Sequence, residues 1–187
     1  MILIIDNYDS FTYNLVQYIG SLKPSIMVVK NDKISIDEIR NISPEKIVIS
    51  PGPGIPENAG ISIDIVKEFA SKIPIMGICL GHQAIVIAYG GNIINADEVV
   101  HGKTSRIIHF NSKLFEDIPK EFEATRYHSL VASESTFPDD LKITAKSTNE
   151  IIMACEHKIY PVYGVQFHPE SILTEHGMKI IENFLNL

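Results

Sequence analysis

Cysteine is nearly absent from this sequence. Cys79 and Cys155 are the only two, too few for a disulfide framework, and a reducing, cytoplasmic setting is expected. No apolar run approaches the roughly 20 residues that cross a bilayer. The opening MILIIDNYDSF has no positive n-region, and its apolar part is too short for a signal peptide. Positive charge is also scarce: 16 Lys and Arg against 23 Asp and Glu give a net charge of −7, so no basic footprint exists for nucleic acid. The seven histidines show no metal-ligand spacing with cysteine or carboxylate, and no metal site is expected. Repeats, linkers and low-complexity tracts are missing. Asn41-Ile42-Ser43 matches a glycosylation sequon that means nothing in a cytosolic protein. What remains, 45% hydrophobic and 21% charged over 187 residues, suits one globular domain, 1–187, with a full core.

The first half alternates between short apolar runs and helical patterns. Strands are expected at Ile2 to Ile5, Ile26 to Val29, Lys46 to Ser50 and Ile73 to Ile78. Helices are expected at Phe11 to Leu22, with Ser10 as N-cap, at Ile36 to Arg40, at Ile61 to Ser71 and at Leu80 to about Tyr89. Continuous apolar strands between helices predict a parallel sheet covered on both faces. From Asn92 to Phe167 the pattern turns strand-rich: Ser105 to Phe110, Glu123 to Tyr127, Leu141 to Ser147, Ile151 to Glu156 and Val162 to Gln166. An amphipathic helix, Glu175 to Leu187, closes the chain.

One cysteine sits where chemistry is expected. Gly77-Ile78-Cys79-Leu80-Gly81 falls at a strand-to-helix junction and has the form of a nucleophile elbow with cysteine at its centre. Such a turn leaves no room for Cβ atoms beside the nucleophile, hence the glycines. It lifts the sulfur above the carboxyl end of the sheet, at a helix N-terminus that favours thiolate. The Leu80 N–H is then free to face an oxyanion. Taken alone, G-x-C-x-G is equally a buried structural cysteine.

A thiolate nucleophile needs a base and a group to orient it. In Gln166-Phe167-His168-Pro169-Glu170, residues two apart project to the same side, so His168 and Glu170 can meet the sulfur in those roles. A third element, Ser50-Pro51-Gly52-Pro53-Gly54, follows the third strand at the end where open α/β sheets bind ligands. By itself it is a plain tight turn.

Together PGPG, GICLGHQ and HPES, in this order and spacing, resemble the class I glutamine amidotransferases over essentially the whole chain. The resemblance implies a flavodoxin-like three-layer α/β/α sandwich with a mostly parallel central sheet. It implies that Cys79 attacks the side-chain amide of L-glutamine to form a thioester, with His168 as general base and acid and Glu170 as its orienter. It implies oxyanion N–H groups from Gly52 and Leu80 in a loop with Pro53 and Gly54, and glutamine contacts from Gln83 and from Ser129 and Leu130 of Tyr127-His128-Ser129-Leu130.

The opening Asp6-Asn7-Tyr8-Asp9-Ser10-Phe11-Thr12-Tyr13-Asn14 and the triplet His101-Gly102-Lys103 are similar to the glutaminase subunits of anthranilate synthase and aminodeoxychorismate synthase. This implies a chorismate-using synthase partner that receives ammonia, most simply anthranilate synthase component I. No cofactor is implied in this chain, and magnesium is expected on the partner. Tyr8, Asp9, Ser10, His101, Gly102 and Lys103 are the interface candidates; the plainer reading is that Asp9 and Ser10 cap the first helix. A stand-alone cysteine hydrolase would lack Gln83 and the YHSL segment. Gly102-Lys103-Thr104 is not a phosphate-binding loop, because the glycine required five residues earlier is Asp97. His82, one residue on along a helix from its neighbours in the elbow, points elsewhere, and Cys155 belongs to the core.

Overall fold

Strand β1 (Ile2–Asp6) divides the molecule by its side-chain alternation. Ile2 and Ile4 enter one buried cluster, Leu3 and Ile5 another, so the strand is covered on both faces. The computed structural model describes residues 1–96 and 102–187. After β1 the chain runs through α1 (Thr12–Leu22), β2 (Ile26–Lys30), α2 (Ile36–Ile42), β3 (Lys46–Ile49), α3 (Ser62–Phe69), β4 (Ile75–Ile78) and α4 (Leu80–Ala88). The strand-rich half follows as β5 (Ile93–Asn95), β6 (Lys103–His109), β7 (Glu121–Arg126), β8 (Leu130–Ala132), β9 (Leu141–Ser147), β10 (Ile152–His157) and β11 (Val162–Val165), then α5 (Gly177–Asn186).

Nine strands form one sheet in the order β2-β1-β3-β4-β11-β10-β9-β6-β7. The run from β2 to β11 is wholly parallel, and beyond it the pairings are antiparallel, so that only β10 and β6 run against the rest. Leu15 and Ile19 of α1 and Ile180 and Phe184 of α5 cover one face; Ile39 of α2, Ile65 and Phe69 of α3 and Ile85 of α4 cover the other. This is the expected three-layer sandwich. Helix α4 is buried from Leu80 through Val86, which explains its lack of a polar stripe. No helix among the described residues is long and apolar enough to cross a membrane.

Two local expectations need correction. Ser10 does not cap α1: Phe11 holds the N-cap position without a side-chain cap. Carboxylates serve the loop instead. Asp9 accepts from the Phe11 N–H at 2.7 Å, and Asp6 accepts from the Asp9 N–H and the Thr12 hydroxyl. The strands β5 and β8, three residues each, were not expected, because a segment that short shows no period of two. They pair as a separate antiparallel ribbon that carries Leu130.

His82 turns away from the Cys79 sulfur, as expected. It is 0% exposed, and its Nδ1 lies 3.5 Å from Cys155 Sγ. The ring occupies space that Gly164 leaves open: a Cβ on Gly164 would come 2.6 Å from Nδ1. Burial pushes the Cys155 thiol up to about 12 and the His82 imidazole down from 6.5 to about 4. A histidine depressed in the folded state has a definite linkage sign. Above pH 6.5 neither state binds the proton and the stability is fully present; between pH 6.5 and 4 the unfolded chain binds it and the folded chain does not. Stability should therefore fall with acidification across that window, by up to about 1.4 kcal/mol per pH unit from this ring. Urea midpoints measured across the window should show His82→Gln with a shallower slope than wild type, whatever its absolute stability. Equal slopes would remove His82 as a cause.

Candidate active site

The elbow forms because three strands and a helix meet with no room to spare. Cys79 has φ +51° and ψ −101°, a backbone that non-glycine residues rarely adopt. Its N–H donates to Val165 O at 2.8 Å, and its carbonyl accepts from Gln83 N at 3.1 Å as the first bond of α4. Both flanking glycines are required by close approach. A Cβ on Gly77 would run into the Gly81 carbonyl, and one on Gly81 into the Ile49 carbonyl of β3. The sulfur consequently sits at the N-terminus of α4, above the carboxyl ends of β3, β4 and β11.

His168 and Glu170 reach it from the extension of β11. His168 Nδ1 and Glu170 Oε1 are 2.6 Å apart, with the residues 2% and 1% exposed. The segment is pinned by its backbone: the His168 N–H donates to Thr125 O, and the Thr174 hydroxyl donates to His168 O at 2.6 Å. Burial pushes the His168 imidazole down, but the Cys79 sulfur and then Glu170 outweigh it and raise the pKa to about 10. Cys79 and Glu170 each act on the ring first as hydrogen-bond partners and then through their charge. Phe11 and Tyr127 stand edge-on to the ring at 5.9 and 5.1 Å and hold its plane. His128 is a poor rival as base. Arg126 Nε donates to its Nε2 at 3.0 Å, and burial together with the Arg126 charge pushes it down to about 3.

The proline-glycine loop is tied by Asn7, whose importance the sequence does not announce. Asn7 Nδ2 donates to Ser50 O at 2.8 Å, while its Oδ1 accepts from Asn31 Nδ2 and Ser62 Oγ, both at 2.9 Å. Gly52 packs directly on this residue: a Cβ there would lie 2.5 Å from Asn7 Cβ and 2.8 Å from Leu80 Cδ2. Gly52, Pro53 and Gly54 then face Leu80, Gln83, Ser129 and Leu130 across a cavity of about 140 Å³ that opens on Cys79. Gln166 is a second site residue without a sequence signature of its own. It accepts from Gln83 Nε2 at 3.1 Å and donates from its own Nε2 to Cys79 Sγ at 3.5 Å. Gln83 Nε2 also donates to Leu130 O at 3.1 Å. The available signal is the two-residue spacing that pairs His168 with Glu170, which reaches back to Gln166.

Tyr8, Asp9 and Ser10 lie on the rim beside Cys79 and His168, with Tyr8 51% exposed and its hydroxyl donating to Asp32 at 2.7 Å. Gly102, at φ +67°, abuts the Tyr127 ring, and the exposed Lys103 begins β6 opposite Arg126. His101 lies outside the described residues. A larger cavity, about 690 Å³, is at the opposite end of the sheet near Glu156 and Tyr160, far from the sulfur. No cluster of metal-ligating side chains exists among the described residues.

A buried sulfur at a helix N-terminus, a histidine–carboxylate pair and a small amide-lined cavity are equipment for acyl transfer through a thioester. The family model of class-I glutamine amidotransferases matches residues 3–187. The chain is 53% identical over 186 residues to anthranilate synthase component 2 of Pyropia yezoensis, covering 99% of this chain and 98% of that one. It is 51% identical over 185 residues to the aminodeoxychorismate/anthranilate synthase component 2 of Bacillus subtilis, covering 99% and 95%. With the bifunctional protein TrpGD of Thermotoga maritima it shares 55% over 188 residues, spanning 32% of that longer protein. The crystal structure of a putative GMP synthase protein from Thermoplasma acidophilum superposes with a TM-score of 0.86 at 25% identity, covering 99% of this chain and 92% of that one. A Thermotoga maritima glutamine amidotransferase shares the fold at a TM-score of 0.75 and 15% identity, covering 99% and 80%. The chain belongs to the class-I glutamine amidotransferase family.

Proposed function

We propose that this chain is the glutaminase subunit of anthranilate synthase: it hydrolyses L-glutamine through a thioester on Cys79 and passes the ammonia to a chorismate-using synthase subunit in the cytoplasm. The observation that carries the reading is the convergence of Cys79, the His168–Glu170 pair and the Gln83–Leu130 cavity at one sheet end. The sulfur attacks the side-chain carboxamide carbon of glutamine. The developing oxyanion is received by the N–H groups of Gly52 and Leu80, each such donor being worth roughly a hundred- to a thousand-fold in rate. Leu80 suits this role because a first-turn N–H has no partner within its own helix. Protonated His168 gives its Nε2 proton to the departing nitrogen, and ammonia leaves. Thioester formation removes the negative sulfur that held the imidazole near 10, so the ring releases that proton readily and then serves as base toward water. Hydrolysis returns glutamate and the free thiol.

Ser129 and Leu130 hold the amino-acid end of the substrate, and Gln83, already bonded to Leu130 O, fixes that wall. Tyr8, Asp9 and Ser10, with Gly102 and Lys103, form the docking rim for the synthase, and any magnesium belongs to that partner. The name of the Bacillus subtilis relative supports a second reading, in which the partner makes aminodeoxychorismate instead or as well. Co-purification with candidate synthases and identification of the product separates the two.

Cys79→Ala should abolish glutamine-dependent synthesis in the reconstituted complex and leave ammonia-dependent synthesis nearly intact, because free ammonia bypasses the thioester. A glutamine-site alkylating analogue should label Cys79 and spare the fully buried Cys155. Near-normal glutamine use by Cys79→Ala would sink the whole reading. Single-turnover acid quench should further show thioester formation slowed roughly a hundred- to ten-thousand-fold in His168→Ala. Glu170→Gln, which keeps an acceptor beside Nδ1, should lose less. An unchanged acylation rate in His168→Ala would remove the histidine from the mechanism.

A further inference from the structure

The Cys79 sulfur is met by His168 and by Gln166. Strands β4 and β11 pair with Val165 opposite Ile78, so the next residue along, Gln166, comes beside Cys79. Its side chain is 0% exposed, and its own N–H donates to Met153 O at 2.8 Å. The carboxamide has no solvent to bond with and must be satisfied inside the protein. His168 changes its protonation during turnover. Gln166 carries its N–H groups at every pH.

A carboxamide is nearly symmetric in shape, and its orientation is decided by what its neighbours give and accept. Here the decision starts at a backbone atom. The Leu130 carbonyl can only accept. Gln83 turns its Nε2 toward it at 3.1 Å and uses its second N–H on Gln166 Oε1, also at 3.1 Å. Turned the other way, Gln166 would set two NH2 groups against each other. Its oxygen therefore faces Gln83, and its Nε2 faces Cys79 Sγ at 3.5 Å. A carbonyl on the wall of the smaller cavity thus fixes a donor on the sulfur through two buried side chains in series.

We propose that Gln166 is a further catalytic residue: its carboxamide N–H holds the Cys79 sulfur as the leaving group when water breaks the thioester. The proposal rests on the glutaminase reading and deepens it. A thioester sulfur is nearly neutral and a poor acceptor. Water gives a proton to His168 and its oxygen to the acyl carbon, which forms a tetrahedral intermediate. Collapse of that intermediate breaks the C–S bond, sends the electron pair to sulfur and releases glutamate. Negative charge therefore grows on Sγ in the step that frees the enzyme. An N–H already aimed at that atom strengthens its bond as the charge grows, with no reorganisation. In acylation the sulfur loses charge as it attacks, so the same bond gives no help there. The donor thus serves deacylation and not acylation.

Gln166→Met tests this, because it removes the donor and keeps the length and bulk of the side chain. In the reconstituted complex its γ-glutamyl thioester, followed by intact-protein mass after acid quench, should persist about tenfold longer than the wild-type one, in keeping with one hydrogen bond to a developing charge. Acylation is spared, so kcat and KM for glutamine should fall together as deacylation becomes rate-limiting, and kcat/KM should stay within about twofold of wild type. A role in packing alone gives the opposite split: a disturbed Gln83 wall raises KM and lowers kcat/KM, while a thioester once formed decays normally. Gln166→Leu should repeat the Gln166→Met result. Thioester decay at the wild-type rate in both variants, or kcat/KM lost in parallel with kcat, overturns the proposal. A wild-type complex that forms no glutamyl adduct overturns the glutaminase reading itself, and the role of Gln166 with it.

Discussion

The backbone of Cys79 is the constraint on which the site depends. A non-glycine residue at φ +51°, ψ −101° costs about 1–3 kcal/mol, and it persists only where its surroundings over-determine it. Here they do. The strands on either side of β4 are parallel and buried, the Cys79 N–H is held by Val165, and the first α4 bond closes on its carbonyl. Gly77 and Gly81 let β4 meet its own helix, and let that helix meet β3, at distances no side chain permits. The same contact that strains the turn aims the sulfur out of the sheet and sets α4's first N–H groups around it. Strain, the position of the sulfur and the placement of the first α4 N–H groups are one structural fact seen three ways.

Burial alone does not decide which histidine holds a proton; the groups beside it do. His82, His128 and His168 are all at most 5% exposed and lie within one region. Burial pushes each toward neutrality, and for His82 nothing opposes it strongly, leaving it near 4. Arg126 adds to the effect at His128, taking it to about 3. Of the three, only His168 faces the Cys79 sulfur and a carboxylate together, and only there is the direction reversed. The protonation of His168 is therefore set by its two neighbours, and the neighbours are placed by β4 and by the β11 extension, which are adjacent strands.

The alternation of apolar strands and helices was legible because buried parallel strands must be continuous apolar runs, as at Lys46 to Ile49 and Ile75 to Ile78. The elbow was legible because glycine spacing records backbone clearance, a local property. Gln166 and Asn7 were not, for the opposite reason. Their significance lies in partners 83 and 87 residues away for Gln166, and 24, 43 and 55 residues away for Asn7, which no local pattern encodes. Ser10 failed as a cap because Asp6 and Asp9 compete for the same donors in a loop whose Tyr8 takes φ +61°. Strands β5 and β8 were too short to leave a period, although they carry Leu130 to the site.

These long-range polar contacts join parts that would otherwise be independent. Asn7 ties the end of β1 to the Gly52 loop, to β2's exit and to α3, so the loop facing the sulfur cannot move without the loop that leads to Tyr8 and Phe11. Phe11 in turn packs on Tyr127 at 5.1 Å, and both pack on His168. The exposed Tyr8–Ser10 rim is therefore linked along packed rings to His168 and along buried amides to Gly52. Interiors of this density shift between discrete packings rather than deform smoothly. The Tyr8–Ser10 rim is thus joined to Gly52 and to His168 by contacts already built.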